Sequence, residues 1–185
     1  VRHWMRHVFG IRDGTETLRD TIEELIESEE ITDDSGADEL VLLRNILNLR
    51  DLTTDDVMVP RADIVAVEID TSLPDLVMLM SSKAHSRVPV YRETLDDAVG
   101  MVHIKDVLAC WDASTPFELS NIVRRVLFVA PSMPMLELLL QMRANRTQLA
   151  LVVDEFGGID GLITIEDLVE EIVGEIEDEH DGEVA

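Results

Sequence analysis

The sequence predicts an α+β fold built from two copies of one supersecondary unit, preceded by a helical lead-in. The first observation is that "VGMVHIKDVL" (99–108) and "DGLITIEDLV" (160–169) repeat one strand-then-helix pattern, 61 positions apart in a chain of 185 residues. The second is that segments of alternating apolar and polar residues, typical of half-buried strands, precede helical segments in the same order in both halves. A unit of about 50 residues is too small to bury its own sheet face, so we expect the two units to pack together.

The lead-in, residues 1–56, is predicted to be helical. An apolar stripe at helical spacing predicts an amphipathic helix over residues 16–30. A second helix follows, with Asp34 or Ser35 as its cap. A short turn, "TTDDVM", ends at Pro60.

The first unit, residues 57–112, reads strand, helix, strand, strand, helix. Its segments are "DIVAVEID", "LPDLVMLMSS", "SRVPVY", "VGMVHI" and "KDVLACW", with "RETLDDA" as a polar turn between the last two strands. The first strand alternates apolar and polar residues, whereas the first helix has a broad apolar face.

The second unit, residues 122–174, repeats this order with "RVLFVA", "PMLELLLQMRAN", "TQLALVV" and "GLITIEDLVEEIV". From Arg87 onward the offset between the copies reads as a constant 61, so that Ser86–Val90 corresponds to Thr147–Leu151. Upstream an offset of 62 aligns the helices better, which places one inserted residue near the loop between helix and strand.

Composition excludes several classes of function. The formal charge of −24 argues against duplex nucleic acid as a partner. A single cysteine, Cys110, excludes an internal disulfide and a cysteine-based zinc site and fits a reducing compartment. The longest apolar runs are too short to span a bilayer, so a soluble chain is expected. No nucleophile–base pair is evident, so we expect no enzymatic activity.

The second repeated corner has the residues of an anion and sugar site. Thr164 falls at the start of a helix, where unpaired amides and the helix dipole favour a phosphate. Asp167, three residues on, can accept hydrogen bonds from ribose hydroxyls, and Gly161 lets a backbone or a flat ring approach closely. The alternative is a capping box, in which Thr164 and Asp167 serve only the helix.

In the first corner His103 replaces the threonine while Asp106 persists. Because histidine is a poor N-cap, capping alone does not explain why the aspartate recurs, and this favours ligand binding at the corners.

Both ends of the chain leave alternatives open. The basic start, "VRHWMRHVFGIR", is either a frayed terminus or a docking helix near anionic lipid. The acidic end, residues 175–185, is either a solvated linker or a divalent-cation site around His180. The methionines on apolar faces are interpreted as core side chains and not as metal ligands.

Four segments together resemble a known family. "VMVPRADI", "AHSRVPVY", "VDEFGGIDGLITIEDLVEEIVGEIEDE" and the tandem layout are similar to the CorC/hemolysin-C-like proteins, which are relatives of the cyclin-M-type magnesium transport mediators. The repeated unit resembles the cystathionine-β-synthase (CBS) motif, two of which form a Bateman module. The resemblance covers roughly residues 15–180.

The resemblance implies a regulatory module that binds adenosine nucleotides in clefts between its two motifs. It assigns phosphate and ribose contacts to Thr164 and Asp167 of the second corner and to Asp106 of the first. It assigns an adenine pocket to the "SRVPV" segment, with apolar strand residues against the base. The nucleotide-binding residues so implied are Thr164, Asp167, Asp106, His103, Ile64, Val65, Ser86, Arg87, Val88, Pro89, Gln148 and Ala150. His103, Gln148 and Ala150 depart from the family pattern, so we expect unequal sites, with the one at Thr164 and Asp167 occupied.

The implied ligand is ATP or AMP, with Mg²⁺ as a companion of ATP, and the implied partners are a second copy of the chain and a membrane transporter or a further domain. The expected location is the cytoplasm, at the inner face of the plasma membrane. The implied role lies in magnesium and cobalt efflux. The alternative is a structural dimerisation module with degenerate sites that bind nothing.

Overall fold

The computed structural model of the protein describes Thr21 and residues 34–111 and 116–174. The helix predicted over residues 16–30, the basic start and the acidic end from residue 175 lie outside the described residues. The chain divides into two compact units. One is residues 52–170, and the other takes in residues before 52 and after 170.

In the smaller unit, helix α1 spans Asp34–Leu49, where the second lead-in helix is predicted. The side chain of Asn45 donates a hydrogen bond of 3.1 Å to the carbonyl of Ile172.

The larger unit contains the two predicted copies and confirms the α+β tandem fold. Its first half comprises α2 (Thr54–Val57), β1 (Val59–Pro60), β2 (Val67–Glu68), α3 (Leu73–Lys83), β3 (Arg87–Tyr91), β4 (Ala98–His103) and α4 (Ile104–Ala109). Its second half comprises β5 (Leu127–Val129), α5 (Met135–Asn145), β6 (Leu149–Val153), β7 (Ile159–Thr164) and α6 (Ile165–Val173), the last of which runs past residue 170.

The strand predicted over "DIVAVEID" is shorter than expected. Its first residue, Asp63, ends a 3₁₀ turn (Arg61–Asp63), residues 64–66 form no regular element, and residues 69–70 form a turn, so β2 contains only Val67–Glu68.

The strands form two sheets, of order β2-β3-β4 and β1-β7-β6-β5. In each copy the first strand runs parallel to the second, and the hairpin strands are antiparallel. Strand β1, at the start of the first copy, pairs with β7 of the second copy. Conversely, Arg124, near the start of the second copy, bridges to Met101 on β4. The two copies therefore exchange their leading segments.

The core is formed by apolar side chains on the helices and strands of both copies. The side chain of Leu95, in the first copy's hairpin loop, packs with those of Leu149, Leu151 and Ile159 in the second copy. A separate cluster fills the first copy and comprises Val67, Leu76, Met80, Val88, Val90, Val102, Val107 and Leu119.

The constant offset of 61 from Arg87 onward is wrong. Val90 pairs with Gly100 and is followed by a β-bulge, and its counterpart Val152 pairs with Gly161 and is also followed by one. Val90 and Val152 are 62 positions apart, whereas the two glycines are 61 apart. The extra residue therefore lies in the hairpin loop of the first copy, and not in the loop between helix and strand.

This register changes which residues correspond. The carbonyl of Ser86 accepts a hydrogen bond from Ile104 N, and the carbonyl of Gln148 accepts the same bond from Ile165 N. Gln148 is thus the counterpart of Ser86, and Leu149 is the counterpart of Arg87.

Among the described residues, no helix combines the length and apolar character that crossing a bilayer requires.

Candidate functional site

A cavity of about 230 Å³ lies at the second corner, where β7 meets α6. It is lined by Val59, Asp63, Ile64, Val65, His85, Arg87, Pro89, Leu149, Leu162, Thr164 and Asp167. The lining comes from β1 and the segment after it, from β3 and the loop ahead of it, and from the β6–β7–α6 part of the second copy. The exchange of leading segments therefore closes the cavity, because it sets residues 59–65 against β7.

Thr164 and Asp167 form a capping box at the start of α6. The Thr164 backbone N–H and its hydroxyl donate hydrogen bonds of 2.7 and 2.9 Å to Asp167 Oδ2, and Asp167 N donates one of 3.3 Å to Thr164 Oγ1. All of these bonds to the carboxylate use Oδ2. Among the described residues no donor bonds to Oδ1, so one carboxylate oxygen remains available as an acceptor at the cavity. Capping and ligand binding are therefore compatible at this corner.

Six of the twelve residues predicted for nucleotide binding line this cavity: Thr164, Asp167, Ile64, Val65, Arg87 and Pro89. Val88 and Ala150 are fully buried in strands, so their side chains face the core and leave only their backbones for a ligand. The side chains of Ser86 and Gln148 lie outside the lining.

Arg87 connects the two copies at the edge of the cavity. Its Nη1 donates a hydrogen bond of 2.8 Å to the carboxylate of Glu166 on α6, and its Nε donates one of 2.9 Å to Gln148 Oε1. Its Nη2 also donates to Gln148. The side chain of Arg87 is 15% exposed, so it is a largely desolvated cation beside the helix start.

Sequence reasoning missed five lining residues: Val59, Asp63, His85, Leu149 and Leu162. Leu149 was hidden by the wrong register, which equated Gln148 with Arg87. Val59 and Asp63 belong to "VMVPRADI", a segment that carried the family resemblance but that strand periodicity alone did not place against β7.

Gly161 admits a backbone and not a ligand ring. A Cβ at this position would lie 2.4 Å from Met58 Sδ and 2.7 Å from the carbonyl oxygen of Val59. The glycine therefore allows β1 to approach β7 closely, which is the first of the two expectations for it.

The first corner differs from the second. Both oxygens of Asp106 are bonded to Arg124, with Arg124 Nε 2.6 Å from Oδ2 and Nη2 2.7 Å from Oδ1. This hydrogen-bonded ion pair holds the pKa of Asp106 below its ordinary value and raises the pKa of Arg124. Asp106 and His103 do not contribute to the cavity at the second corner.

His103 caps α4, which corrects the expectation that histidine is unsuited to this position. Its Nδ1 accepts a hydrogen bond of 3.0 Å from Lys105 N. Nδ1 can accept only when it is deprotonated. Desolvation lowers the pKa of His103, and the positive charges of Arg87 and Arg124 lower it further, so the neutral capping form is favoured.

Comparison with known proteins is consistent with this architecture. The family model described as "CBS domain" matches residues 49–111 and 119–174. A hemolysin C homolog of Rickettsia rickettsii (strain Sheila Smith) is 47% identical over 148 residues, which are 80% of this chain and 50% of that protein. The chain thus spans about half the length of the curated relatives it matches.

Solved structures are similar over most of the chain. The CBS domain of the bacterial CNNM/CorC family Mg²⁺ transporter is 38% identical, with a TM-score of 0.76, covering 88% of this chain and 98% of that one. Its complex with ATP is 40% identical, with a TM-score of 0.70 over 75% and 99% of the two chains. A CBS-domain pair with bound AMP from Klebsiella pneumoniae is 32% identical, with a TM-score of 0.59 over 66% and 99%.

Proposed function

We propose, from the premise that the chain belongs to the CBS-domain family, that it binds an adenine nucleotide at the corner of Thr164 and Asp167. Within that family the chain is a tandem pair of the CorC/hemolysin-C-like group. The observation that carries the proposal is Oδ1 of Asp167, to which no described residue donates, beside a cavity whose walls come from both copies. Two similar solved structures have ATP and AMP bound, which supports this ligand class.

Each wall of the cavity has a role in the proposal. Apolar side chains of Ile64, Val65 and Pro89 pack against the adenine, and Asp167 Oδ1 accepts a hydrogen bond from the ribose. The start of α6 and Arg87 supply positive charge for the phosphates. The volume of about 230 Å³ is below the 300–1,000 Å³ common for ligand sites, which favours a mononucleotide over a dinucleotide.

Magnesium enters the proposal with ATP. The described residues include no group of three or more histidine, cysteine or acidic side chains placed to hold a metal ion. Asp63 and Glu166 both lie close to the proposed phosphate position, so a triphosphate without a counter-ion would be repelled. Mg²⁺ on the phosphates removes that repulsion.

The proposed role of binding is regulatory, not catalytic. Nucleotide binding would change how this module meets a second copy of the chain and a transporter or domain concerned with divalent cations. Within the larger unit, Met78, Leu108, Leu140 and Val169 are 64%, 58%, 55% and 44% exposed, so helices from both copies present apolar surface for a homodimer. Light scattering after size-exclusion chromatography tests the dimer, and a monomer at micromolar concentrations would contradict it.

Calorimetric titration with AMP, ADP and ATP, each with and without Mg²⁺, tests the ligand. We expect saturable binding of at least one nucleotide and its loss in Asp167→Ala. Asp154→Ala is the matched control, because Asp154 is the other aspartate that organises a turn of this copy through its own side chain. The proposed site would be contradicted if both variants lost the same nucleotide affinity, or if Asp167→Ala bound nucleotide as well as the unchanged chain does.

The alternative is a dimerisation module whose corners bind nothing. The Arg124–Asp106 pair favours it for the first corner only. A folded dimer that binds none of the three nucleotides would support this alternative for the whole chain, and phosphate release during the same titrations would instead point to an enzyme.

A further inference from the structure

The two corners are related by the repeat, and this identifies the residue that makes them unequal. Leu162 pairs with Val59, and Met101, its counterpart 61 positions earlier, bridges to Arg124. Arg124 therefore occupies in the first corner the position that Val59 occupies in the second. Val59 is one of the walls of the nucleotide cavity.

Arg124 is held at this position by its backbone. Its N–H donates a hydrogen bond of 2.8 Å to the Met101 carbonyl, and its carbonyl accepts one of 2.9 Å from Met101 N. Gly100 packs so closely on it that a Cβ there would lie 2.3 Å from the Arg124 carbonyl oxygen. The guanidinium therefore extends from a fixed point.

That guanidinium occupies the acceptor that a ribose would need. Within the described part of the chain nothing donates to Asp167 Oδ1, whereas both oxygens of Asp106 receive charge-assisted hydrogen bonds of 2.6 and 2.7 Å from Arg124. The bidentate geometry adds specificity to these bonds, although the Arg124 side chain is 54% exposed. Neutral ribose hydroxyls would have to displace a cation from its carboxylate, which is unfavourable.

We propose that the first corner is a latent nucleotide site closed by Arg124, so that each chain binds one adenine nucleotide, at the second corner. This rests on the function proposed above for the second corner. The specific claim is that one side chain, and not the whole sequence of the first copy, keeps the first corner closed. Replacing Arg124 with valine, the residue at the equivalent position, opens it.

The test is made in Asp167→Ala chains, so that only the first corner can respond. AMP and ATP with Mg²⁺ are titrated calorimetrically into three variants: Asp167→Ala, Arg124→Val/Asp167→Ala, and Arg124→Val/Asp167→Ala/His103→Thr. The third variant gives the first corner the hydroxyl that Thr164 supplies in the second. Arg125→Val/Asp167→Ala is the matched control, because Arg125 is the adjacent exposed arginine and its loss changes the net charge equally.

We expect no binding in Asp167→Ala and in the Arg125 control. The Arg124→Val chains should bind one nucleotide saturably under conditions in which that control shows no heat of binding, and adding Asp106→Ala should abolish this binding. Folded Arg124→Val chains that bind nothing, with or without His103→Thr, would overturn the proposal. So would Asp167→Ala chains that retain a site dependent on Asp106 while Arg124 is present.

Two measures keep the result interpretable. Thermal unfolding checks each variant, and Arg124→Ala replaces Arg124→Val if the valine chain does not fold. A wild-type chain whose binding does not depend on Asp167 would refute the function proposed for the second corner. The comparison of Arg124→Val with Arg125→Val would still decide whether Arg124 closes the first.

Discussion

Arg87 of the first copy donates a hydrogen bond of 2.8 Å to Glu166 of the second, across the mouth of the candidate site. A nucleotide phosphate would compete with Glu166 for this guanidinium, and the negative charge of Glu166 would also repel the phosphate. The charge of Glu166 therefore opposes binding in two ways, although it is exposed to solvent.

Glu166→Gln should tighten the binding of ATP with Mg²⁺. An exposed ion pair contributes roughly 0.2–1 kcal/mol, so we expect affinity to rise by about 1.4- to fivefold in calorimetric titration. Glu170→Gln, which removes the same charge one turn further along α6, is the control. Equal effects of the two substitutions would show that general charge, and not the contact with Arg87, is responsible.

Asp96→Asn should weaken nucleotide binding from outside the cavity. Asp96 accepts hydrogen bonds from the guanidinium of Arg61 and from Ile159 N, the latter at 2.8 Å, and so ties the segment leading to Ile64 and Val65 to β7. Without Asp96 the segment keeps only the direct hydrogen bond of 2.6 Å from Arg61 Nη1 to the Ile159 carbonyl, so the cavity wall is held less firmly. Affinity is measured by titration and stability by thermal unfolding.

The neighbouring Asp97→Asn is the control for this prediction, because among the described residues the side chain of Asp97 pairs only with the exposed Arg92, at 3.3 Å. If Asp97→Asn weakens binding as much as Asp96→Asn does, the Arg61–Asp96 contact does not position the wall.

Two threonine-to-valine substitutions should have opposite effects on stability. The hydroxyl of Thr147 is buried and has no hydrogen-bond partner among the described residues, so Thr147→Val should raise the free energy of unfolding by about 1 kcal/mol. The hydroxyl of Thr54 is within 2.7 Å of the carbonyls of Ala130 and Pro131, so Thr54→Val should lower it by about 1–3 kcal/mol. Urea unfolding measures both, and changes of the same sign would contradict the assignment.

His103→Thr should reduce the loss of stability at mildly acidic pH. His103 caps α4 through a deprotonated Nδ1, and its pKa is lowered in the folded chain. The cap therefore contributes fully above the unfolded-state value of 6.5, and its contribution is lost as the pH falls through the lower folded-state pKa. Threonine caps without titrating in this range. Unfolding midpoints of both proteins between neutral and mildly acidic pH should diverge as the pH falls, and parallel profiles would exclude this role for the cap.

The repeated architecture could be predicted from the sequence because its causes are local. Alternation, helical periodicity and the repeated strand-then-helix corner all lie within single segments, and the tandem α+β fold follows from them. Thr164 and Asp167 could be predicted for the same reason, since the helix start that brings them together is encoded in four consecutive residues.

The remaining features depend on contacts between distant segments. Periodicity does not show that β1 pairs with β7, which is what brings Val59 and Asp63 to the cavity. The extra hairpin residue was misplaced because the loop is polar in both copies and gives no register signal, whereas the β-bulges after Val90 and Val152 fix it. The Arg124–Asp106 pair was likewise not evident, because it depends on a bridge between β4 and the segment ahead of β5.

The two oxygens of the Asp167 carboxylate have different roles, and this affects the kinetics of ligand binding. Since Oδ2 already anchors the first turn of α6, a ligand that engages Oδ1 finds the corner preorganised and causes no loss of backbone entropy there. Association at this corner should therefore be fast and show no slow isomerisation phase. Any conformational change that the ligand causes must then begin at the opposite wall, where Arg87 can exchange Glu166 for a phosphate of the ligand.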